Sequence, residues 1–552
     1  MNTKKWKKLK RNPKAFFADS KFNPLHFFKR EQLKNAEIST ISKSQSKGQA
    51  TIQAQLKIED AFEQINKGSK VNLQPIENDF NFDFLIENIK PYNINSVYIN
   101  PIDSSLKSSL CILQSEKEAF FKQFLSFLYN EGINIAYKFN GGIKKPKSVN
   151  EIWKDISNLK QVDIRLSTER IISTQPNSFW FRLELCEDTK DYIFFPTSNH
   201  ISRKLWKHAA KDKNIFDGST KNYDTILAFP HEQEITFDID LVFTWVNSDD
   251  KDWQEMYRKY KPFEDSDATS TSRFLSRDEL KFALRSWEKY GAFFRKIYIV
   301  SNCAPPEWLN LENEQIEWIY HETIMPESVL PTFSSHAIET SLFKIPGLSN
   351  YFIYNNDDIV LVRPTTAYNF YYSNGITKLK LENWGNVNGN PKEKEPDYLN
   401  AARNSNALLE KEFGKSTSQL HTHSPQAMRV DIFKEMYNKY GAEFDKTMSN
   451  KFRTIDDISV TSYFYHHYAL LSGRAIQSLE KTELVKHSHD FKKKLTHILE
   501  LNKKKEYASL PFSVCINDGA GSHLDEEWNA EVINFLNNLF PNPSKFEKSD
   551  YI

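Results

Sequence analysis

FDIDLVFTWVN, residues Phe237 to Asn247, is an apolar, β-branched run that stops abruptly at Trp245-Val246-Asn247 and is followed by Ser248-Asp249-Asp250. A run apolar on both faces suits a buried parallel strand, and open α/β sheets bind nucleotides at the carboxyl ends of such strands. The pattern returns as YFIY (Tyr351 to Tyr354), running straight into Asn355-Asn356-Asp357-Asp358. Two strand ends that carry acids point to a metal and diphosphate site. A hard divalent cation takes oxygen ligands, and one or two carboxylates leave it room for water and phosphate oxygens, a requirement Asp357 and Asp358 meet. An Asp-Asp pair after a strand is also ordinary turn or cap chemistry. The Asn pair beside it and the separate acids Asp249 and Asp250 favour the site.

Between the two strands lies a segment with helix signals. Ser276 with Glu279 three residues on reads as a capping box, Leu280, Ala283, Leu284 and Trp287 follow at helical spacing, and Gly291 stops the run. KIYIVSN (Lys296 to Asn302) then completes a β-α-β unit. The polar stretch Ser266–Ser276 reads equally as a lid over the carboxyl edge or as a solvated loop. Strand and helix alternate from about residue 235, the mark of a doubly wound parallel sheet.

With 552 residues the chain exceeds what one core usually supports, and 39% hydrophobic residues suffice for two or three domains. Residues 1–35 read as a basic aromatic arm, 36–56 as a Ser/Gln-rich linker, 57–232 as a smaller α+β domain and 233–552 as the domain that carries the polar strand ends. The first 30 residues hold ten Lys/Arg against one acid, although the whole chain is only +1. Basic charge interleaved with Trp6, Phe16, Phe17, Phe22, Phe27 and Phe28 fits an anchor on anionic lipid; a solvated tail or a contact with an anionic polymer are the other readings. No apolar run is long enough to span a bilayer and no signal region is evident, so the expected place is the cytoplasm. Four widely spaced cysteines without a CxxC pair fit a reducing compartment.

Histidine and arginine supply the remaining chemistry. Leu420-His421-Thr422-His423-Ser424-Pro425-Gln426 places two imidazoles on one side of an extended run before a helical pattern from about Ala427. Either imidazole could serve as a general base near neutral pH, or both could be ordinary hydrogen-bonding loop residues. Lys451-Phe452-Arg453-Thr454-Ile455-Asp456-Asp457 sets an arginine before a helix cap, and guanidinium grips phosphate with two prongs. His466 and His467, inside the helical run Ile458–Leu471, read as core. Ser513-Val514-Cys515-Ile516-Asn517-Asp518-Gly519 is another apolar strand ending in polar residues, either a turn or a third corner of the pocket. Trp245 and Asn247 read as nucleobase or ribose contacts, with core packing equally open for Trp245.

FDIDLVFTWVN, RFLSRDELKFALRSWEKYGAFFRKIYIVSNCAPPEWL, PTFSSHAIETSLFKIPGLSNYFIYNNDD, HTHSPQAM with KFRTIDD, and SVCINDGAGS, in that order over about 237–525, resemble the blocks of the Stealth family of hexose-1-phosphate transferases. The basic arm and FNGGIKKPKSVNEIW further resemble its bacterial capsule polymerases. The resemblance implies that a hydroxyl of a growing capsular oligosaccharide attacks the sugar-proximal phosphorus of a UDP-N-acetylhexosamine, so that sugar 1-phosphate is transferred and UMP leaves. N-acetylmannosamine is the first choice of sugar and N-acetylglucosamine the alternative. It implies that His423 and Arg453 are catalytic, His423 as a candidate base and Arg453 as a phosphate clamp. Asn356, Asp357 and Asp358 match the metal-side acids, for Mg²⁺ or Mn²⁺. Arg273 and Arg285 match arginines of the second block, Asn517 and Asp518 match the last block, and His336 ranks below His423. The expected fold is α/β: a Rossmann-like (GT-A-like), mostly parallel sheet, a smaller N-terminal α+β domain and a helical C-terminal part. Expected partners are the UDP-sugar, the oligosaccharide, the inner face of the cytoplasmic membrane and the capsule export machinery, with no nucleic acid. A UDP-releasing glycosyltransferase and a non-catalytic capsule assembly factor are the competing readings.

Overall fold

The computed structural model describes residues 82–99, 109–156, 158–167, 178–196, 203–210, 221–222, 232, 234–261, 274, 276–504, 507, 509–519 and 521–551. The expected arm at 1–35, the linker at 36–56, Arg273 and nearly all of the stretch 266–276 lie outside them. Nine short strands, β1–β9, between residues 96 and 222 make one mixed sheet, whose longest strand (Ser178–Asp188) pairs antiparallel with Gln161–Ser167 and parallel with Ser109–Leu113.

The second sheet carries the polar strand ends. β10 (Ile239–Thr244), β11 (Ile297–Ser301), β12 (Ile316–Tyr320) and β13 (Tyr351–Asn356) are mutually parallel in the order β12-β11-β10-β13. Side chains alternate between two cores. Leu241, Phe243, Ile299 and Ile353 enter one, while Val242, Val300, Phe352 and Tyr354 enter the other. Burial on both faces explains the unbroken apolar run of β10, since a half-exposed strand would alternate. In register, Thr244 lies beside Asn356. The two acid-bearing strand ends are therefore neighbours at one sheet edge.

The helix Glu279–Tyr290 fills the first core with Leu280, Ala283, Leu284 and Trp287, all 0% exposed. Each such burial is worth roughly 1.5–3 kcal/mol. Gly291 does end this helix, and for a packing reason: a Cβ there would meet Trp287 and Leu361 at 2.9 Å. The expected capping box does not form. The helix begins after Asp278, a left-handed residue at φ 63°, and Glu279 turns back onto Arg277.

Two further departures concern the histidine region. Gln426–Arg429, expected to open a helix near Ala427, is a strand, β16, paired antiparallel with β13 at the sheet edge, and the helix starts at Val430. Ile458–Leu471 is a π-turn (Val460–Phe464) followed by an α-helix (Tyr465–Leu471), with His466 and His467 buried as expected. A small third sheet joins β14 (Ile359–Leu361) antiparallel to β19 (Ser513–Asn517), and β19 parallel to β18 (Glu483–Lys486). The numbers β15 and β17 belong to a separate parallel pair, Thr377–Leu379 and Ala475–Gln477. All four cysteines are free and buried. Among the described residues no helix is long and apolar enough to cross a membrane.

Candidate active site

The acids sit in a turn tied by their neighbour. The Asn355 amide donates to the carbonyls of Asn356 (2.7 Å) and Ile359 (3.0 Å), so β13 reverses within Asp357-Asp358 and leaves as β14. Pairing of β14 with β19 sets Ile359 opposite Cys515 and carries Asn517 and Asp518 to the same place. The Cys515 thiol donates to Asp358 Oδ2 at 3.2 Å, while Asp358 Oδ1 is sealed from water with no partner. Burial first, then the Asp358 and Glu279 charges, pushes the Asp357 carboxyl well above the usual range. Burial also raises Asp358 to about 7, with Glu279 and Asp518 adding to the rise and Cys515 and Asn517 opposing it. Two crowded carboxylates with an unpaired oxygen are a donor set that a hard divalent cation satisfies. Among the described residues no group of three or more His, Cys, Asp and Glu could hold an ion alone. A cation here would complete its shell with water and phosphate oxygens, as Mg²⁺ commonly does.

Arg277, which the sequence did not single out, organises this corner. Its guanidinium, 5% exposed, takes Asp518 with two prongs (2.7 and 3.0 Å), Glu279 at 3.0 Å and Asn529 at 2.6 Å. Trp528 Nε1 also donates to Asp518 (2.9 Å). Asp518, expected to touch substrate, thus has both oxygens engaged within the protein, while Asn517 lies close enough to hold the Asp358 pKa down. Glu279 was legible only as part of a helix start, and Arg277 not at all, because the Arg277 partners Asp518 and Asn529 lie more than 200 residues away.

His423 approaches from the edge strand. Gln426, three residues on, lies opposite Tyr354, and just before His423 the chain pairs with Lys380 and Leu381, Thr422 N–H donating to the Lys380 carbonyl (2.8 Å). The His423 side chain is exposed at the rim, yet surrounded closely enough that desolvation and then Lys486 lower its pKa. Lys486 is the register partner of Asn517, which links His423 to the acid corner. His421 faces inward instead: it stacks on His466 at 4.1 Å, meets the Thr422 carbonyl (2.7 Å) and, buried, drops to about 3. That separates the two imidazoles of HTH into a rim group and a core group.

Arg453 and His336 form another cluster. Arg453 Nη2 donates to Ser335 Oγ (2.6 Å), and His336 Nδ1 meets the fully buried Asp457 at 3.0 Å. Trp245 packs edge-on against Trp318 (5.5 Å) and keeps a buried indole N–H without a partner. Asn247 accepts from the Asp249 N–H (2.9 Å). Asp250, one of the acids expected to strengthen the metal reading, instead caps the helix Lys251–Tyr260 through the Trp253 N–H (2.9 Å) and accepts from Ala304 N–H (2.9 Å).

Arg285, expected to meet substrate, is turned to the C-terminal segment: it forks onto Glu547 (2.7 and 2.5 Å) and donates to the Phe540 carbonyl (2.9 Å). The Glu547 side chain is 2% exposed, so Arg285→Ala strands a buried carboxylate. The expected loss is about 3 kcal/mol in urea unfolding. At permissive temperature the donor KM should stay unchanged, and a raised KM without destabilisation would return Arg285 to the substrate.

Conserved regions 1 to 4 of the Stealth proteins match residues 237–262, 273–379, 422–470 and 508–551. The capsular polysaccharide phosphotransferase SacB of Neisseria meningitidis serogroup A is 59% identical over 99% of both chains. The exopolysaccharide phosphotransferase CpsY of Mycobacterium leprae is 33% identical over 67% of this chain and 68% of its own. Among solved structures, the galactosyltransferase LgtC with donor and acceptor sugar analogues overlays 56% of this chain and 98% of its own at 8% identity and a TM-score of 0.28, too loosely to inform the site. With all four conserved regions in order and a relative this similar from end to end, the chain belongs to the Stealth family.

Proposed function

We propose that the chain is a capsule polymerase that transfers N-acetylhexosamine 1-phosphate, N-acetylmannosamine 1-phosphate first, from a UDP-sugar to a hydroxyl of the growing polysaccharide and releases UMP. The observation that carries this reading is the acid pair Asp357-Asp358, with its partnerless oxygen, at the end of β13, the strand that β16 joins three residues after His423. The relatives named as capsular and exopolysaccharide phosphotransferases supply the acceptor class.

Phosphoryl transfer asks a protein mainly for positioning and charge neutralisation. Asp357 and Asp358 would hold Mg²⁺ or Mn²⁺, which when bound offsets the diphosphate charge. Arg453 grips the transferring phosphate. Asn356 and Asn517 orient the sugar side, and the unpaired Trp245 N–H with Asn247 meets the uridine. Two imidazoles, His423 and His336, serve the acceptor side.

Purified protein given UDP-N-acetylmannosamine, Mg²⁺ and a phosphate-linked oligosaccharide should release UMP and lengthen the oligosaccharide. UDP as the product would make it a glycosyltransferase, and no turnover with this sugar or with UDP-N-acetylglucosamine would remove the proposal.

The arm is proposed to hold the enzyme at the inner face of the cytoplasmic membrane, beside the export machinery. Deleting residues 1–30 removes ten cations and six aromatics. At about 1 kcal/mol per basic residue near an anionic surface, the deletion should abolish sedimentation with anionic vesicles while sparing activity on soluble oligosaccharides. Undiminished sedimentation would exclude the arm as the anchor.

A further inference from the structure

The proposed transfer needs a group that takes the proton of the attacking hydroxyl, and the two candidate imidazoles are supported very differently. Asp457 is 0% exposed, and its carboxylate is held from all sides. Oδ1 accepts from Asn450 Nδ2 (2.7 Å) and Thr454 Oγ1 (3.0 Å), and Oδ2 from the Thr454 N–H (3.1 Å) and His336 Nδ1 (3.0 Å). Three fixed neutral donors occupy the other acceptor positions of this carboxylate. A carboxylate that only accepts fixes the proton of the ring on Nδ1, which leaves the lone pair on Nε2. Among the described residues the hydrogen bond of this ring is made by Nδ1, and His336 is 4% exposed.

The neighbours of this ring belong to the proposed phosphate site. Ser335, the preceding residue, holds the Arg453 guanidinium, and the two segments are pinned by Phe333 N–H to the Lys451 carbonyl (2.7 Å) and by Phe333 stacked on Phe452 (5.3 Å). One turn on, Glu339 accepts from Thr461 Oγ1 (2.6 Å) and from Tyr354 Oη (3.4 Å), and Tyr354 meets Thr244 Oγ1 (2.9 Å). The short helix bearing His336 is thereby fastened to β10 and β13 near their carboxyl ends. The charged groups around the ring are Asp457 and Arg453 from the facing segment and Glu339 on its own helix. Among the described residues no carboxylate is hydrogen-bonded to His423, and Lys486 opposes a positive charge on it.

We infer that His336, oriented by Asp457, removes the proton from the acceptor hydroxyl, with His423 remaining neutral as a hydrogen-bond donor to substrate. The inference rests on the phosphotransfer reading above. The hydroxyl proton passes to His336 Nε2 as the acceptor oxygen forms its bond to the sugar-proximal phosphorus. The bond from that phosphorus to the bridging oxygen breaks, the electron pair leaves with UMP, and the imidazolium returns its proton to solvent. Asp457 is a positioning residue that acts through His336.

The test uses the full-length chain, a UDP-N-acetylhexosamine, the oligosaccharide acceptor and Mg²⁺ kept saturating at every pH so that the acid pair adds no limb of its own, with UMP release followed against pH for the wild type, H336Q, H423Q and D457N. H336Q should lower kcat by about 10²–10⁴-fold with the donor KM within about threefold, and its residual activity should lack the acidic limb of the kcat/KM profile. H423Q should also be slow, yet keep that limb. D457N keeps an oxygen for the Nδ1 proton but not the charge that steadies the imidazolium, so its acidic limb should move to lower pH. Should H336Q fail to fold, D457N decides: an unmoved limb overturns the inference. A near-normal kcat in H336Q, or an acidic limb retained by H336Q and lost by H423Q, overturns it as well. Failure of the wild type to release UMP would condemn the phosphotransfer reading itself, a separate result.

Discussion

Asparagine in place of Asp358 should cut UMP release by about a thousandfold and, without divalent cation, make the chain harder to unfold. Both effects come from one carboxylate. Asp358 sits beside Asp357, Glu279 and Asp518, and its Oδ1 has no partner. The carboxylate is thus suited to a bound cation and costly without one. The direction with pH follows from its shift to about 7 in the folded chain, against about 3.9 unfolded. Below pH 4 both states hold the proton and the group costs nothing. As pH rises through this window the unfolded chain ionises freely and the folded one does not, so stability falls until about pH 7 and stays lower beyond it. A few kcal/mol are at stake. Melting in EDTA should show D358N above the wild type at pH 8, with the gain fading toward pH 4. Mg²⁺ should raise the wild-type Tm at pH 8 and leave D358N nearly unmoved. The Cys515 thiol can still donate to the asparagine oxygen, so packing is conserved. A variant that keeps its activity, or melts lower at pH 8, would take the cation away from Asp358.

The elements legible in the sequence are those whose cause is local. β10 announces itself because both faces are buried, and Leu280, Ala283, Leu284 and Trp287 do so because a helix must bury one stripe. Asp357-Asp358 could be read because a strand ends there. What escaped is set by distant partners. Ser276 and Glu279 have the spacing of a capping box, but a buried guanidinium holds the Glu279 carboxylate more strongly than a cap amide would. Asp250 looked like a second metal acid and is a cap. Gln426–Arg429 had a helix-compatible pattern, and pairing with β13 decided it. That pairing sets the strand that starts three residues after His423 beside the one that ends at Asn356.

Arg277→Ala should be the most damaging single change to stability in the described site, at about 3–5 kcal/mol. One side chain, 5% exposed, neutralises Glu279 and Asp518 and also fixes Asn529. Its removal leaves two carboxylates confined with Asp357 and Asp358 and no guanidinium between them, a group that water cannot reach well enough to solvate. Lysine keeps the charge but cannot fork onto Asp518 while reaching Glu279, so R277K should lie between wild type and R277A. If the damage is uncompensated negative charge, removing charge as well should undo part of it, and R277A/D518N should unfold at a higher urea midpoint than R277A. A plain cavity effect predicts no such rescue, because the asparagine oxygen still accepts from Trp528 and the cavity is unchanged. The acids respond to the same field. With Arg277 gone, Asp357 and Asp358 hold their protons still more tightly, so the Mg²⁺ concentration for half-maximal UMP release should rise in R277A, most steeply below pH 7. An R277A chain within 1 kcal/mol of wild type, with an unchanged Mg²⁺ requirement, would mean that the acid turn stands without the clamp.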